Sequence, residues 1–161
     1  MTAGVMTTMT QPAPDWLREL AAARAHYEEL FGWPVSVQVG QRQLVVALGQ
    51  TLDAITMPAS LGARVHGQLG IAMLTGPVIA HPDSARWTFL TQGATTMPGE
   101  IVDGLGNHEV HHAASGEYAV VPTECGGGGW CWIHEPRPHQ MLPSAYAVIA
   151  TARRLCSAAV A

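Results

Sequence analysis

Asn107-His108-Glu109-Val110-His111-His112 (NHEVHH) carries an HExxH spacing, and whether its backbone is helix or strand decides between two folds. On a helix, His108 and His112 stand one turn apart, about 6 Å. Both imidazoles then reach one zinc ion at ~2.1 Å, with Glu109 as the base that activates metal-bound water. On a strand the same histidines are ~13 Å apart, and no single ion spans them. The flanks argue for the strand. Gly104, Gly106 and Asn107 precede the motif and Ser115-Gly116 follow it, leaving about two turns, which is marginal for a helix without tertiary support. Downstream, EYAVV has the character of a strand, and the Ser-Gly between the two segments suits a hairpin connection. The sequence thus predicts an extended backbone over 108–112, paired with 118–121.

Working outward, the chain alternates turn signals with short apolar runs. Trp16, Leu20, Ala23, Tyr27 and Leu30 recur at helical spacing after Pro14-Asp15, with Asp15 as a candidate cap, and Gly32 and Pro34 close that helix. Val35, Val37 and Val39, then GQRQ, then LVVAL at 44–48 predict a hairpin. Asp53 to Met57 reads as a strand. Pro58 opens a helix with Leu61, Val65 and Leu69 on one face. HPDSA separates two further strands, Pro77 to Ala80 and Arg86 to Thr91. The last helix begins near Pro143, with Ile149, Ala152 and Cys156 on one side. This order predicts an α+β fold, a mostly antiparallel sheet with flanking helices. Residues 1–13 read as a flexible tail and 14–161 as one α+β domain.

Composition narrows the function. Every fixed positive charge is one of eight scattered arginines, and the net charge is −4, so there is no basic stripe for a phosphate backbone and nucleic-acid binding is disfavoured. MTAGVMTTMTQPAP lacks the basic start and apolar run of a secretory signal, and the apolar stretch from 144 onward is broken by Arg153 and Arg154. The expectation is a cytoplasmic protein without a membrane partner. Its three cysteines read as reduced thiols.

Other motifs offer little chemistry. Cys125, Cys131, His134 and His139 have poor spacing for a zinc ribbon, and Cys131 and His134 would point to opposite sides of the strand WCWIH. In the plainer reading Trp130 and Trp132 share one face, with Cys131 and Ile133 filling the core on the other. The glycines at 126–129 lead into a strand rather than a helix, unlike a phosphate loop. No G-x-S-x-G elbow is present. The clustered histidines also suggest a surface that charges together on mild acidification.

Three segments resemble actinobacterial proteins related to the N-terminal domain of bifunctional DNA primase/polymerases. They are DAITMPASLG at 53–62, then GPV at 76–78 with RWTFL at 86–90, and EVHH at 109–112 running through YAVVP, GGWCW and the closing Leu142-Pro143. The likeness spans about residues 48–143 and implies that superfamily's α+β core. Active members hold divalent metal with carboxylates and use a strand histidine on the nucleoside triphosphate. By resemblance Asp53 keeps the first acidic position and Glu109 a third, whereas the second is Thr56 and the histidine position is Thr88. The resemblance therefore implies a fold whose polymerase chemistry is lost, and the expectation is a catalytically degenerate module, with other enzyme activity left open and no cofactor expected. It would bind a protein or a nucleotide in a residual cleft near Asp53 and Glu109. The alternative is the zinc-dependent hydrolase, with His108 and His112 as ligands and Glu109 as base.

Overall fold

A computed structural model of the chain describes residues 12–94, 96–98, 101, 105–123 and 129–159. Most of the expected N-terminal tail, Cys125 and the first three of the four consecutive glycines lie outside these residues. The described elements are α1 (Asp15–Phe31), β1 (Val35–Gln38), β2 (Gln43–Ala47), β3 (Leu52–Pro58) and α2 (Ala59–Ile71). There follow β4 (Val78–Ala80), β5 (Arg86–Gln92), a 3-10 turn (Gly106–His108), β6 (His111–Ala113), β7 (Tyr118–Val121), β8 (Cys131–His134) and α3 (Ala145–Ala159). The fold is α+β, with two antiparallel sheets in the orders β1-β2-β7 and β6-β3-β5-β4-β8.

The five-stranded sheet is buried on both faces. Residues alternate along each strand, so β3 sends Ile55 and Met57 to one side and Leu52 and Ala54 to the other. The first side packs with Val78 and Phe89 under α2 (Val65, Leu69) and α3 (Val148, Ile149, Ala152, Cys156). The second packs with Ile79 and Leu90 against Leu44 and Val46 of the small sheet and Leu20 and Tyr27 of α1. Tyr27 ties that layer together. Its hydroxyl donates to the Pro122 carbonyl at 2.8 Å and accepts from Trp132 Nε1 at 3.1 Å, while its ring stacks on Trp33 with centroids 5.8 Å apart.

Helix ends follow local chemistry. Gly32 closes α1 in the left-handed region (φ 68°), donating its N–H to Glu28. Asp15 is the first helical residue rather than the cap. Its carboxylate still sits where the positive end of the helix favours an anion. Ser144 Oγ accepts the Ala147 N–H at 3.0 Å at the start of α3.

Two expectations from the sequence need correction. The chain does not fold back from β6 onto β7: β6 pairs with β3 in the large sheet, and β7 pairs with β2 in the small one. The 114–117 turn hands the chain from one sheet to the other. Glu117 holds it, because its carboxylate accepts the Ala114 N–H (3.0 Å) and its carbonyl accepts the Leu48 N–H (3.0 Å). In β8 the roles of the two faces are reversed, since Cys131 and Ile133 are exposed and Trp132 packs against the core. Trp132 has the larger apolar surface and an indole N–H with an acceptor in Tyr27, so this register buries more and satisfies the polar atom.

The turn also requires Gly49. At φ 111° that residue lies so close to Ser115 that a Cβ would come within 2.4 Å of the Ser115 Cα. Gly49→Ala is expected to cost about 2 kcal/mol or more, through strain and displacement of the turn. Urea unfolding would read this as a lowered midpoint, and an unchanged midpoint would refute the packing described.

Candidate functional site

The NHEVHH segment adopts neither of the two simple conformations. Gly106–His108 form one 3-10 turn, Glu109 is left-handed (φ 59°, ψ 30°), Val110 is buried, and only from His111 is the chain a strand. The extended reading of 108–112 is thus corrected at its first half. Leu105 and Val110 are both buried in the core under α2 and α3, and the Val110 N–H bonds to the Leu105 carbonyl, so packing bends the backbone between them. The helical turn that a zinc peptidase motif requires is not formed: His108 and Glu109 are exposed on the turn, and His112 is directed inward. The alternative zinc site of His108 and His112 with Glu109 as base is therefore not assembled. Among the described residues, no three His, Cys, Asp or Glu side chains converge as a cation site.

His112 Nε2–H donates to Asp53 Oδ2 at 2.9 Å, with the carboxylate side chain fully buried and the imidazole 9% exposed. Strand register explains the contact. His112 stands opposite Ile55 on β3, and Asp53 is two residues along on the same face, a diagonal neighbour within reach of an imidazole. Asp53 therefore points to the side covered by α2 and α3. Thr56, three residues on, projects from the opposite side.

On that opposite side a polar row crosses three strands. His111 faces Thr56, and Thr56 faces Thr88. The two threonine hydroxyls lie 3.0 Å apart, and His81 Nε2 is 2.6 Å from the Thr88 hydroxyl, with the Trp130 ring 4.6 Å from the His81 ring. His111 Nε2 is 3.1 Å from Glu117 Oε1 at the surface end. His81 went unnoticed in the sequence; its place in the HPDSA turn marks it only as a loop residue.

The expected cleft between Asp53 and Glu109 is corrected as well. Glu109 sits on the exposed left-handed turn before β6, whereas Asp53 lies within β3 with its side chain turned under the helices. One carboxylate is sealed inside and the other is in solvent. The Cys131, His134 and His139 positions do not form a ribbon either. Cys131 is exposed, and His139 is an exposed, left-handed turn residue (φ 63°). A groove of about 750 Å³ runs along α1, lined by Trp16, Tyr27, Phe31, Thr123 and Glu135, with the Arg42 guanidinium 4.7 Å above the Trp16 ring.

Several protonation equilibria are displaced. Burial lowers the His81 pKa below its ordinary 6.5, helped by the Arg86 charge and opposed by Asp83. Burial likewise lowers His66, with a further contribution from His134. For Glu117 burial acts upward, but the hydrogen bonds from His111 and the Ala114 N–H and the charges of both histidines outweigh it, leaving the carboxyl below its ordinary 4.5.

No family model, no curated protein and no solved structure matches this chain.

Two outcomes follow. His112→Ala withdraws a donor from a buried carboxylate and should cost about 3 kcal/mol. His111→Ala, whose side chain is 65% exposed, should change stability by no more than ~0.5 kcal/mol. Equal losses in urea unfolding would contradict the burial difference. The second outcome concerns pH. A folded imidazole held below 6.5 leaves the unfolded chain binding the proton first. Stability is therefore full above about pH 6.5 and declines as pH falls toward the folded values. Glu117 adds a further loss only at more acidic pH, below its ordinary 4.5. The urea midpoint should drop between pH 7.5 and 5.5, and His81→Gln should flatten that drop.

Proposed function

We propose that this chain is a catalytically degenerate, primase/polymerase-like domain that acts in the cytoplasm as a binding or regulatory module for a protein or a nucleotide. The observation that carries this reading is the Asp53–His112 hydrogen bond. The carboxylate at the first acidic position of the resemblance is fully buried and directed under the helices. Metal-assisted phosphoryl transfer needs carboxylates that converge on hydrated cations beside the substrate. Here the second acidic position is Thr56, on the other face of the sheet, and Glu109 is exposed on the turn before β6.

What remains on the Thr56 side is suited to holding rather than reacting. The Thr56 and Thr88 hydroxyls and the His81 imidazole engage one another in a short hydrogen-bonded chain. A ligand has more room along α1, where aromatic side chains and the Arg42 guanidinium line one groove. A planar base stacked on aromatic rings, or a peptide carrying an aromatic anchor, matches that lining. No helix among the described residues is long and apolar enough to cross a membrane.

Primer-extension assays with Mg²⁺ or Mn²⁺ should yield no product, and calorimetry with nucleoside triphosphates should show no strong metal-dependent binding. Robust extension that disappears in Asp53→Ala would overturn the reading.

A further inference from the structure

Two histidines outside the polar row and outside the α1 groove meet across the other face of the large sheet. His66 lies on α2 and His134 at the end of β8, which among the described residues pairs with β4 at the edge of the large sheet. Their ring centroids are 5.5 Å apart, with the rings inclined at 58°. Trp87 presents its ring edge-on to His66, with centroids 6.5 Å apart. In both histidines Nδ1 is shielded from solvent and makes no hydrogen bond.

A buried ring nitrogen without a partner is unusual, because a neutral imidazole carries a donor at one nitrogen and an acceptor at the other and each normally finds a mate. Two such nitrogens on adjacent rings raise one question: what single species could satisfy both? A hydrogen bond between the rings is not made. One water can donate to both nitrogens, whereas a metal ion accepts both lone pairs directly and fixes the separation of the two rings. With metal–nitrogen bonds of about 2.1 Å and a tetrahedral angle between them, two imidazole centroids come to lie about 5 Å apart, within a side-chain adjustment of the separation found here.

We propose that His66 and His134 form a two-histidine site for a divalent transition metal of the zinc, nickel or copper class, its remaining coordination positions filled by water or by an exogenous ligand. Imidazole selects this class over magnesium and calcium, which prefer oxygen. The ion would fasten the end of β8 to α2 across the face of the sheet. The zinc-ribbon spacing in the sequence pointed toward His134 with the wrong partners, since its neighbour in space is His66, 68 positions earlier in the chain.

The test uses untagged full-length protein titrated with Zn²⁺ and Ni²⁺, with Mg²⁺ as the control. Zn²⁺ or Ni²⁺ at tens of micromolar should raise the melting temperature by several degrees, and Ni²⁺ should quench part of the tryptophan emission through Trp87. His66→Gln and His134→Gln should each weaken binding at least tenfold, while His139→Gln, at an exposed turn, should leave it unchanged. The histidine ring signals of the wild-type protein provide a measurement that does not depend on the variants folding. Those of His66 and His134 should shift together and saturate at one equivalent of Zn²⁺. Unperturbed ring signals and an unchanged melting temperature, or binding of wild-type strength in both glutamine variants, would overturn the site.

Discussion

The hydrogen bond between His112 and Asp53 is the constraint on which most of this structure depends. It joins residues 59 positions apart and fixes β6 against β3 in one register. A carboxylate with no solvent exposure requires hydrogen-bond donors, and losing one exposes the fold to a penalty of several kcal/mol. Shifting β6 by one residue would turn His112 to the opposite face and place His111 beside Asp53 instead. The position of His112 therefore explains why the histidine cluster lies across an edge strand with its members on alternate sides.

Around that fixed point the two faces of the large sheet have become chemically distinct. The side under α2 and α3 holds the Asp53–His112 pair, the His66–His134 pair, the buried Thr91 opposite Asp53, and an apolar core. The side toward α1 and the small sheet holds the Thr56–Thr88–His81 chain and the aromatic layer of Tyr27, Trp33 and Trp132. Strand alternation alone separates Asp53 from Thr56, three residues apart on one strand. A metal site built on both positions would require a β3 that bulges between them, and its pairing with β5 runs without interruption from Leu52 to Pro58.

Much of the fold was legible because its signals are local. GQRQ and HPDSA bracket real hairpins, β1 with β2 and β4 with β5. Leu61, Val65 and Leu69 mark the packed face of α2, and Ile149, Ala152 and Cys156 that of α3. What the sequence did not disclose is mostly non-local. Ser115-Gly116 looked like a hairpin tip, yet the turn joins two sheets, and only the fit of Ser115 over Gly49 and the bonds of Glu117 explain why. Burial in β8 is decided by Tyr27, more than a hundred residues away, which accepts the Trp132 N–H. The site was less legible than the fold for the same reason. Asp53 and Glu109 are both acidic, but nothing in their own surroundings in the sequence reveals that one is sealed inside and the other lies in solvent.

Asp53 is a structural acid, sealed from cations by its burial, and NMR with Mn²⁺ addresses that directly. A paramagnetic ion broadens the signals of every group near which it binds. The backbone amide of Asp53 and the ring signals of His112 should remain sharp as Mn²⁺ and nucleoside triphosphate are added, with the His112 Nε2–H still protected. Selective broadening of those two residues, ahead of the exposed carboxylates, would show a cation at the buried acid and contradict the account.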